Sequence, residues 1–126
     1  MRFDNNIPIY VQIVDDIKRQ IINNELLESD KLPSVRSYSL IYEVTPLTIQ
    51  RAIIELEKEG IIFTKKGVGS YINKDVSKKL KQQTSKQIIL EYISKMKDIG
   101  YENKEIIDFV KEELENEWTY KCRKFK

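Results

Sequence analysis

The sequence predicts a mainly α-helical fold that contains one small β-hairpin. Apolar residues recur at helical spacing in several segments, and residues suited to helix starts precede two of these segments. Residues 61–72 form instead a β-rich stretch interrupted by glycines. The length of 126 residues suits one compact domain and a small appendage.

The first helix is predicted from about Pro8 to Asn24. Pro8 suits the first turn, because the N–H that proline lacks is not needed there. One apolar helix face then follows, formed by Ile9, Tyr10, Ile13, Val14, Ile17 and Ile21. The next residues break this period and indicate a turn that leads into extended chain at Pro33, with Leu26 and Leu32 pointing inward.

Two further helices are predicted, separated by about three residues. Ser34 is a good N-cap for a helix that ends near Tyr42, and Thr45-Pro46 is a strong start signal for the next helix, which ends at Gly60. The inner faces carry Val35, Tyr38 and Ile41 or Tyr42 in the first of these helices, and Ile49, Ala52, Ile53 and Leu56 in the second. The outer face of the second exposes Thr48, Gln50, Arg51 and Glu55.

A hairpin with a basic, glycine-bearing tip is predicted at residues 61–72. The segment 73–85 is polar and lysine-rich apart from Val76 and Leu80, which indicates a junction to a second region. The predicted domains are therefore residues 8–75 and residues 76–126.

Two amphipathic helices are predicted after the junction, the first ended by Gly100. A helical hairpin of about 45 residues cannot bury two apolar stripes on itself, so we expect it to pair with the same segment of a second copy. The predicted dimer interface is Ile89, Tyr92, Ile93, Met96, Ile106, Phe109, Val110, Leu114 and Trp118. The C-terminal aromatic residues could instead line a ligand pocket, although helical spacing is more typical of interface core. They are Tyr92, Tyr101, Phe109, Trp118 and Tyr120.

Composition argues against several classes of protein. The sequence contains no histidine, which disfavours hydrolytic triads and most zinc sites, so we expect no enzyme, no metal and no cofactor. It also offers neither a membrane-spanning apolar run nor a signal peptide, and the expected location is the cytoplasm. The single cysteine, Cys122, lies among basic residues and is either a thiol in a frayed tail or a redox sensor.

Net charge gives no support to nucleic-acid binding. Residues 1–75 carry 10 basic and 11 acidic side chains, whereas residues 76–126 carry 12 and 9. Any electropositive surface must therefore come from the arrangement of the charges.

The order helix, turn, helix, turn, helix, hairpin is that of a winged helix-turn-helix, in which the third helix lies in the major groove of DNA. Five motifs resemble the GntR family of bacterial regulators: Pro8-Ile9-Tyr10-x-Gln12-Ile13, Asp30–Arg36, Val44-Thr45-Pro46-x-Thr48-Ile49-x-Arg51-Ala52, Glu55–Ile62 and Lys66-Gly67-x-Gly69-Ser70-Tyr71-Ile72. The resemblance covers about residues 8–72. The helical tail is similar to the YtrA subfamily, in which a two-helix dimerisation segment replaces a large effector-binding domain. A MocR-like group joins the same module to an aminotransferase domain, for which this chain is too short.

The resemblance implies a sequence-specific repressor that acts as a homodimer on a pseudo-palindromic double-stranded operator, in an operon that includes its own gene and often a transporter. The candidate DNA-binding residues are Ser34, Arg36, Thr45, Pro46, Thr48, Gln50, Arg51, Lys65, Lys66, Gly67 and Gly69. Any small-molecule effector is unknown.

Physical reasons accompany these candidates. A helix N-terminus such as that at Ser34 can bind a phosphate, and Arg36 in the same turn opposes the helix dipole, which suggests an external anion. Gln50 can pair with adenine and Arg51 can reach guanine or the backbone, although a solvated helix face is the alternative for both. The lysines at the hairpin tip can reach phosphate or the minor groove.

Some positions depart from the family pattern. Many relatives carry a base-reading arginine where this chain has Pro46, and a basic residue where it has Val68. Glu43 replaces a common turn glycine, and Ser39 a common alanine. The operator preference of the relatives is therefore not transferable, and two other functions remain open: a protein-interaction adaptor and, ranked last, an enzyme.

Overall fold

The structure, a computed structural model, describes the backbone of residues 2–124 and the side chains of residues 2–116. The elements in chain order are α1 (Ile9–Ile22), α2 (Val35–Tyr42), α3 (Pro46–Lys58), β1 (Ile62–Lys65), β2 (Gly69–Ile72), α4 (Val76–Ile99) and α5 (Asn103–Lys124). They form two compact units, Met1–Gln83 and Thr84–Lys126. In the part of the chain that is described, no helix is long and apolar enough to cross a membrane.

The first unit is built around one apolar core, to which the helix faces and the hairpin contribute. Its buried side chains are Ile13, Val14, Ile17, Ile21, Leu32, Tyr38, Tyr42, Ile49, Ala52, Leu56, Ile61, Ile62, Ile72, Val76 and Leu80. The predicted inner face of α3 is confirmed, and in α2 Tyr42 rather than Ile41 faces the core, since Ile41 is 63% exposed. The prediction was wrong for Ile9, which lies at the first position of α1 and is 43% exposed.

The start and end signals of the helices act as the sequence indicated. Ser34 caps α2 and Thr45 caps α3, with Pro46 at the first helical position. The first helix ends two residues earlier than predicted, because Asn24 adopts the left-handed conformation with φ 61° and cannot continue it. These boundaries place the short turn Glu43–Thr45 between α2 and α3.

The hairpin is antiparallel, with Ile62 opposite Ile72 and Lys65 opposite Gly69. The extended chain before α2 pairs with its outer edge. The amide of Leu32 donates to the carbonyl of Ser70 at 2.8 Å, and the amide of Ile72 donates to the carbonyl of Asp30 at 3.0 Å. The start of α2 is therefore fixed beside the hairpin.

A polar network joins α1 to α2. The Tyr42 hydroxyl donates to Asp16 Oδ2 at 2.7 Å, and Arg19 Nη2 donates to Asp16 Oδ1 at 2.8 Å. Partial burial opposes ionisation of Asp16, but the bonds from Arg19 and Tyr42 prevail and hold its pKa below the usual value. Burial and the same bond to Asp16 raise the pKa of Tyr42. The network fixes the orientation of α2 against the first helix.

The predicted junction is helical over most of its length. Helix α4 begins at Val76, and both Val76 and Leu80 are 3% exposed and belong to the core of the first unit. The lysine-rich composition of residues 73–85 concealed this, because two apolar residues four apart bury one helix face whatever the other positions carry. The division between the units accordingly falls after Gln83, eight residues beyond the predicted boundary.

The second unit leaves most of its apolar side chains in contact with solvent. Among its described residues Ile106 is buried, at 6% exposure, and the rings of Tyr101 and Phe109 meet edge to face at 4.9 Å. More than half exposed are Ile88, Ile89, Leu90, Ile99, Ile107 and Leu114. Phe109 and Val110 are 39% exposed, and Tyr92, Ile93 and Met96 are half-buried. The side chains of Trp118, Tyr120 and Cys122 lie outside the described residues.

Candidate nucleic-acid interface

The start of α3 is organised by two threonines. Thr45 Oγ1 accepts a bond from the Thr48 amide at 3.4 Å, and the two hydroxyl oxygens are 3.0 Å apart. Pro46 is exposed between them and has no N–H to offer. Thr48, predicted on the outer face, is half-buried. Its hydroxyl is within hydrogen-bonding distance of the Thr45 hydroxyl.

The outward face of α3 carries four side chains at helical spacing: Leu47, Gln50, Arg51 and Ile54. Gln50 and Arg51 are exposed, as predicted. Leu47 is 73% exposed and Ile54 57%, and neither belongs to the set of outward residues predicted from the sequence. Their spacing from Gln50 and Arg51 was the signal that could have found them. An exposed leucine beside Gln50 offers the kind of apolar contact that a thymine methyl accepts.

Arg51 has a partner that the sequence did not indicate. Its guanidinium carbon lies 4.3 Å from the centre of the Tyr10 ring, which belongs to the first turn of α1 and is half-buried. This distance is that of a cation–π contact. Arg51 is thus exposed to solvent while its guanidinium contacts the Tyr10 ring of α1.

The start of α2 combines a capped helix end with an exposed cation. Ser34 Oγ accepts from the Ser37 amide at 3.0 Å and donates to Ser37 Oγ at the same distance. Arg36 is exposed in the first turn. No acidic residue occupies that turn, so nothing local compensates the unfavourable position of Arg36 against the helix dipole.

The hairpin tip is glycine-dependent and basic. Gly67 and Gly69 have φ values of 79° and 144°, which side-chain-bearing residues rarely adopt. Lys66 is exposed, whereas Lys65 Nζ lies 4.9 Å from the centre of the Tyr71 ring, on a pair of stacked rings. A groove between the hairpin and α2 brings together Ser34, Lys65, Gly67 and Gly69, and also Lys31, a cation that the sequence analysis did not select.

Among the described side chains, the candidate cations of α2, α3 and the hairpin have no carboxylate partner, a property that they share with Lys58 at the end of α3. The ion pairs between described side chains use Lys18 and Arg19, which bind Glu59 at 3.0 Å and Asp16 at 2.8 Å. Over residues 2–116, none of these pairs includes Arg36, Arg51, Lys65 or Lys66. Also within the described part, no group of three or more histidine, cysteine or carboxylate side chains could hold a metal ion. Arg36 of α2, Arg51 of α3 and the hairpin lysines are therefore exposed cations without a carboxylate partner among the described residues.

A family model described as bacterial regulatory proteins, gntR family, matches residues 9–72, which is the segment from α1 to the end of the hairpin. The chain belongs to the GntR family. It is therefore a transcriptional regulator of a family that binds DNA, and its α1–α3 and hairpin form the winged helix-turn-helix of that family. The predicted fold class is confirmed.

Relatives extend the similarity over the C-terminal helices. The uncharacterized HTH-type transcriptional regulator YhcF of Bacillus subtilis is 35% identical over 87% of this GntR-family chain and 93% of its own length. The HTH-type transcriptional repressor YtrA of the same organism is 34% identical over 83% of each chain. The similarity to the YtrA subfamily is confirmed in this sense.

Solved structures agree. A GntR family transcriptional regulator from Listeria monocytogenes is 40% identical, with a TM-score of 0.79 over 87% of this chain and 98% of that chain. The DNA-binding domain of AraR, solved in complex with operator ORX1, is 26% identical, with a TM-score of 0.51 over 52% of this chain and 80% of that chain. The second structure shows a related winged domain engaged with operator DNA.

Proposed function

We propose that this regulator is a repressor, that it binds a pseudo-palindromic operator as a homodimer, and that the operator controls its own operon, including a transporter gene. The observation that carries the proposal is the set of uncompensated cations on the outward sides of α2, α3 and the hairpin. Because phosphate contacts supply much of protein–DNA affinity, exposed cations without described carboxylate partners on three elements of a winged helix-turn-helix favour DNA as the ligand.

The roles of the individual residues follow from their positions. Gln50 and Arg51 lie on the outward face of the helix that enters the major groove, where they read base edges. Arg36 and Lys66, both exposed, bind phosphates on either side. The remaining residues of the proposed surface position these groups or line the groove beside them: Ser34, Thr45, Pro46, Thr48, Lys65, Gly67 and Gly69.

The dimer is proposed to form through the second unit. Most of the apolar side chains among its described residues are exposed, and large exposed apolar surface is typical of interaction sites. Two copies would cover Ile89, Phe109, Val110 and Leu114, together with the half-buried Tyr92, Ile93 and Met96 and with Trp118 from the sequence prediction. The buried Ile106 would then support the interface from within each copy.

Repression is favoured over activation by the relatives. YtrA and NagR of Bacillus subtilis are both named HTH-type transcriptional repressors, and they match this chain at 34% and 33% identity. A dimer places two recognition helices in successive major grooves, with half-sites about one helical turn apart. Such a complex over a promoter blocks transcription by occupying it.

The test uses the full chain and a DNA fragment from upstream of its own gene. We expect a footprint with two half-sites and a dimer by light scattering. For each phosphate contact, the logarithm of the binding constant should fall by about 0.9 per tenfold increase in salt concentration. Arg36→Ala should weaken binding and reduce the salt slope by about 0.9. Lys58→Ala, an exposed cation at the far end of α3, is the matched control and should bind as the parent protein does.

Three results would overturn the proposal or one part of it. An operator affinity that is insensitive to salt would exclude the phosphate contacts. The adaptor function would instead be favoured if the protein did not shift the DNA fragment on a gel at physiological salt and if Arg36→Ala and Arg51→Ala left its activity in cells unchanged. An Ile89→Lys variant that remains dimeric would remove the second unit from the interface.

A further inference from the structure

The Tyr10 ring leaves the hydrogen-bonding edge of Arg51 unused. A guanidinium is planar: its two faces can stack on an aromatic ring, while its five N–H groups point outward in the plane. The Arg51 guanidinium carbon lies 4.3 Å from the centre of the Tyr10 ring, and Arg51 takes part in none of the hydrogen bonds or ion pairs between described side chains. Its donors therefore remain available to a ligand.

Arg19 illustrates the alternative way of holding an arginine. Its guanidinium donates to Asp16 at 2.8 Å and lies 3.8 Å from Glu25. Those carboxylates order the side chain, but they also occupy one of its donors and offset its charge. A partner of that kind on the outward face of α3 would cost DNA affinity, whereas a ring costs neither donors nor charge.

We propose that Tyr10 is a positioning residue for operator recognition, which holds the Arg51 guanidinium in the orientation from which its edge meets DNA. The inference rests on the proposed function, since it requires Arg51 to contact the operator. A free arginine loses side-chain entropy when it binds, and a side chain that is already stacked loses less. Tyr10 is suited to this role because it is anchored by partial burial in α1, the helix that packs against α3.

The experiment is a double-mutant cycle on operator affinity with the full chain, using Tyr10→Leu, Arg51→Ala and the combination. Leucine retains apolar packing but removes the ring, and we expect it to weaken binding by about 3- to 30-fold, the range of a cation–π contact. In the Arg51→Ala background the same change should cost less than about twofold, because there is no guanidinium left to position. Tyr10→Phe keeps the ring and should bind like the parent protein.

The four variants separate the possible failures. If Arg51→Ala weakens binding but Tyr10→Leu does not, the positioning role is wrong and the proposed function stands. If Tyr10→Leu costs as much in the Arg51→Ala background as in the parent protein, the ring acts on DNA or on the fold instead, and the thermal midpoint of Tyr10→Leu tells these apart. Tighter binding by Tyr10→Leu would mean that the ring withholds Arg51, which also overturns the inference. An Arg51→Ala variant that binds normally would overturn both the inference and the DNA contact of Arg51.

Discussion

The two units of this regulator bury their apolar side chains to very different extents. In the first unit α1, α3 and the hairpin close around Ile13, Ile17, Ile49 and Leu56, each at most 1% exposed. In the second unit, within the described residues, Ile106 is buried while Ile88, Ile89 and Leu90 are all at least 55% exposed. Apolar residues recur in the helices of both units, so their presence alone does not distinguish a helix that buries them within its own chain from one that leaves them exposed. The difference teaches that the first unit buries its apolar side chains within its own chain, whereas the described part of the second unit leaves most of them exposed.

The largest expected difference between the two units comes from a cavity made in the core of the first unit. Ile17→Ala should lower the free energy of unfolding by about 2–5 kcal/mol, because the fully buried side chain leaves a space that its neighbours fill poorly. Leu90→Ala, at a position of the second unit that is 56% exposed, is the control. It should lower the free energy of unfolding of the first unit by less than about 0.5 kcal/mol. Urea titration followed by circular dichroism measures both. Equal losses would mean that the two units are one cooperative structure.

Two neighbouring tyrosines test what polar groups add to the first core. Tyr42→Phe removes the bond to ionised Asp16 and should cost about 1.5–3 kcal/mol. Tyr38 is its matched control: its hydroxyl is buried with no partner among the described residues, and burial raises the pKa of Tyr38 to about 12. Tyr38→Phe should therefore leave stability unchanged or raise it, since an unsatisfied buried group is removed. A loss for Tyr38→Phe as large as that for Tyr42→Phe would contradict this assignment.

Dilution should affect the second unit selectively. If association covers its apolar side chains, each tenfold dilution lowers the apparent stability of that unit by about 1.4 kcal/mol. The amides of α1 and α3 should keep their hydrogen-exchange protection over the same range, because their core does not require a partner. Protection measured by mass spectrometry at two protein concentrations resolves the units. Concentration-independent protection throughout would show that the second unit is stable by itself.

The smallest expected effect concerns pH. The pKa of Asp16 is lower in the folded than in the unfolded chain, so its contribution to stability is present above the usual value of 3.8 and is lost as pH falls through the folded pKa. Asp16→Asn should be less stable than the parent at pH 7, and the gap should shrink toward pH 3. Urea midpoints at the two pH values measure it. A gap of the same size at both would place the effect on packing rather than on charge.

Local signals predicted the elements well. Ser34, Thr45 and Pro46 mark the starts of α2 and α3 because a cap acts within its own turn, and the apolar spacing of α1 and α3 identified their buried faces. The sequence did not indicate that Val76 and Leu80 belong to the first core, since they are two apolar residues in a lysine-rich segment and their burial depends on packing against distant parts of the chain. Sequence signals are weakest where long-range contacts, rather than a local pattern, determine whether a side chain is buried.

The candidate surface shows the same limit. Gln50 and Arg51 could be selected from their outward positions and from the family motif. The support of Arg51 by Tyr10 could not, because the two residues are 41 positions apart and the tyrosine is indistinguishable from a core residue in the apolar stripe of α1. Leu47 was missed for another reason: exposed leucines are ordinary on protein surfaces, so its type carried no signal without its position.

The turn between α2 and α3 has a consequence for protein engineering. Glu43 ends α2 in the left-handed conformation, with φ 57° and ψ 47°, a region that disfavours any residue with a Cβ. The Ser39 hydroxyl donates to the Val44 carbonyl across the same turn, so the loop keeps its shape although its sequence is not the one that shape prefers. Replacing Glu43 with glycine is therefore expected to stabilise the fold. That gain in stability could offset the loss caused by grafting a foreign recognition helix onto this scaffold.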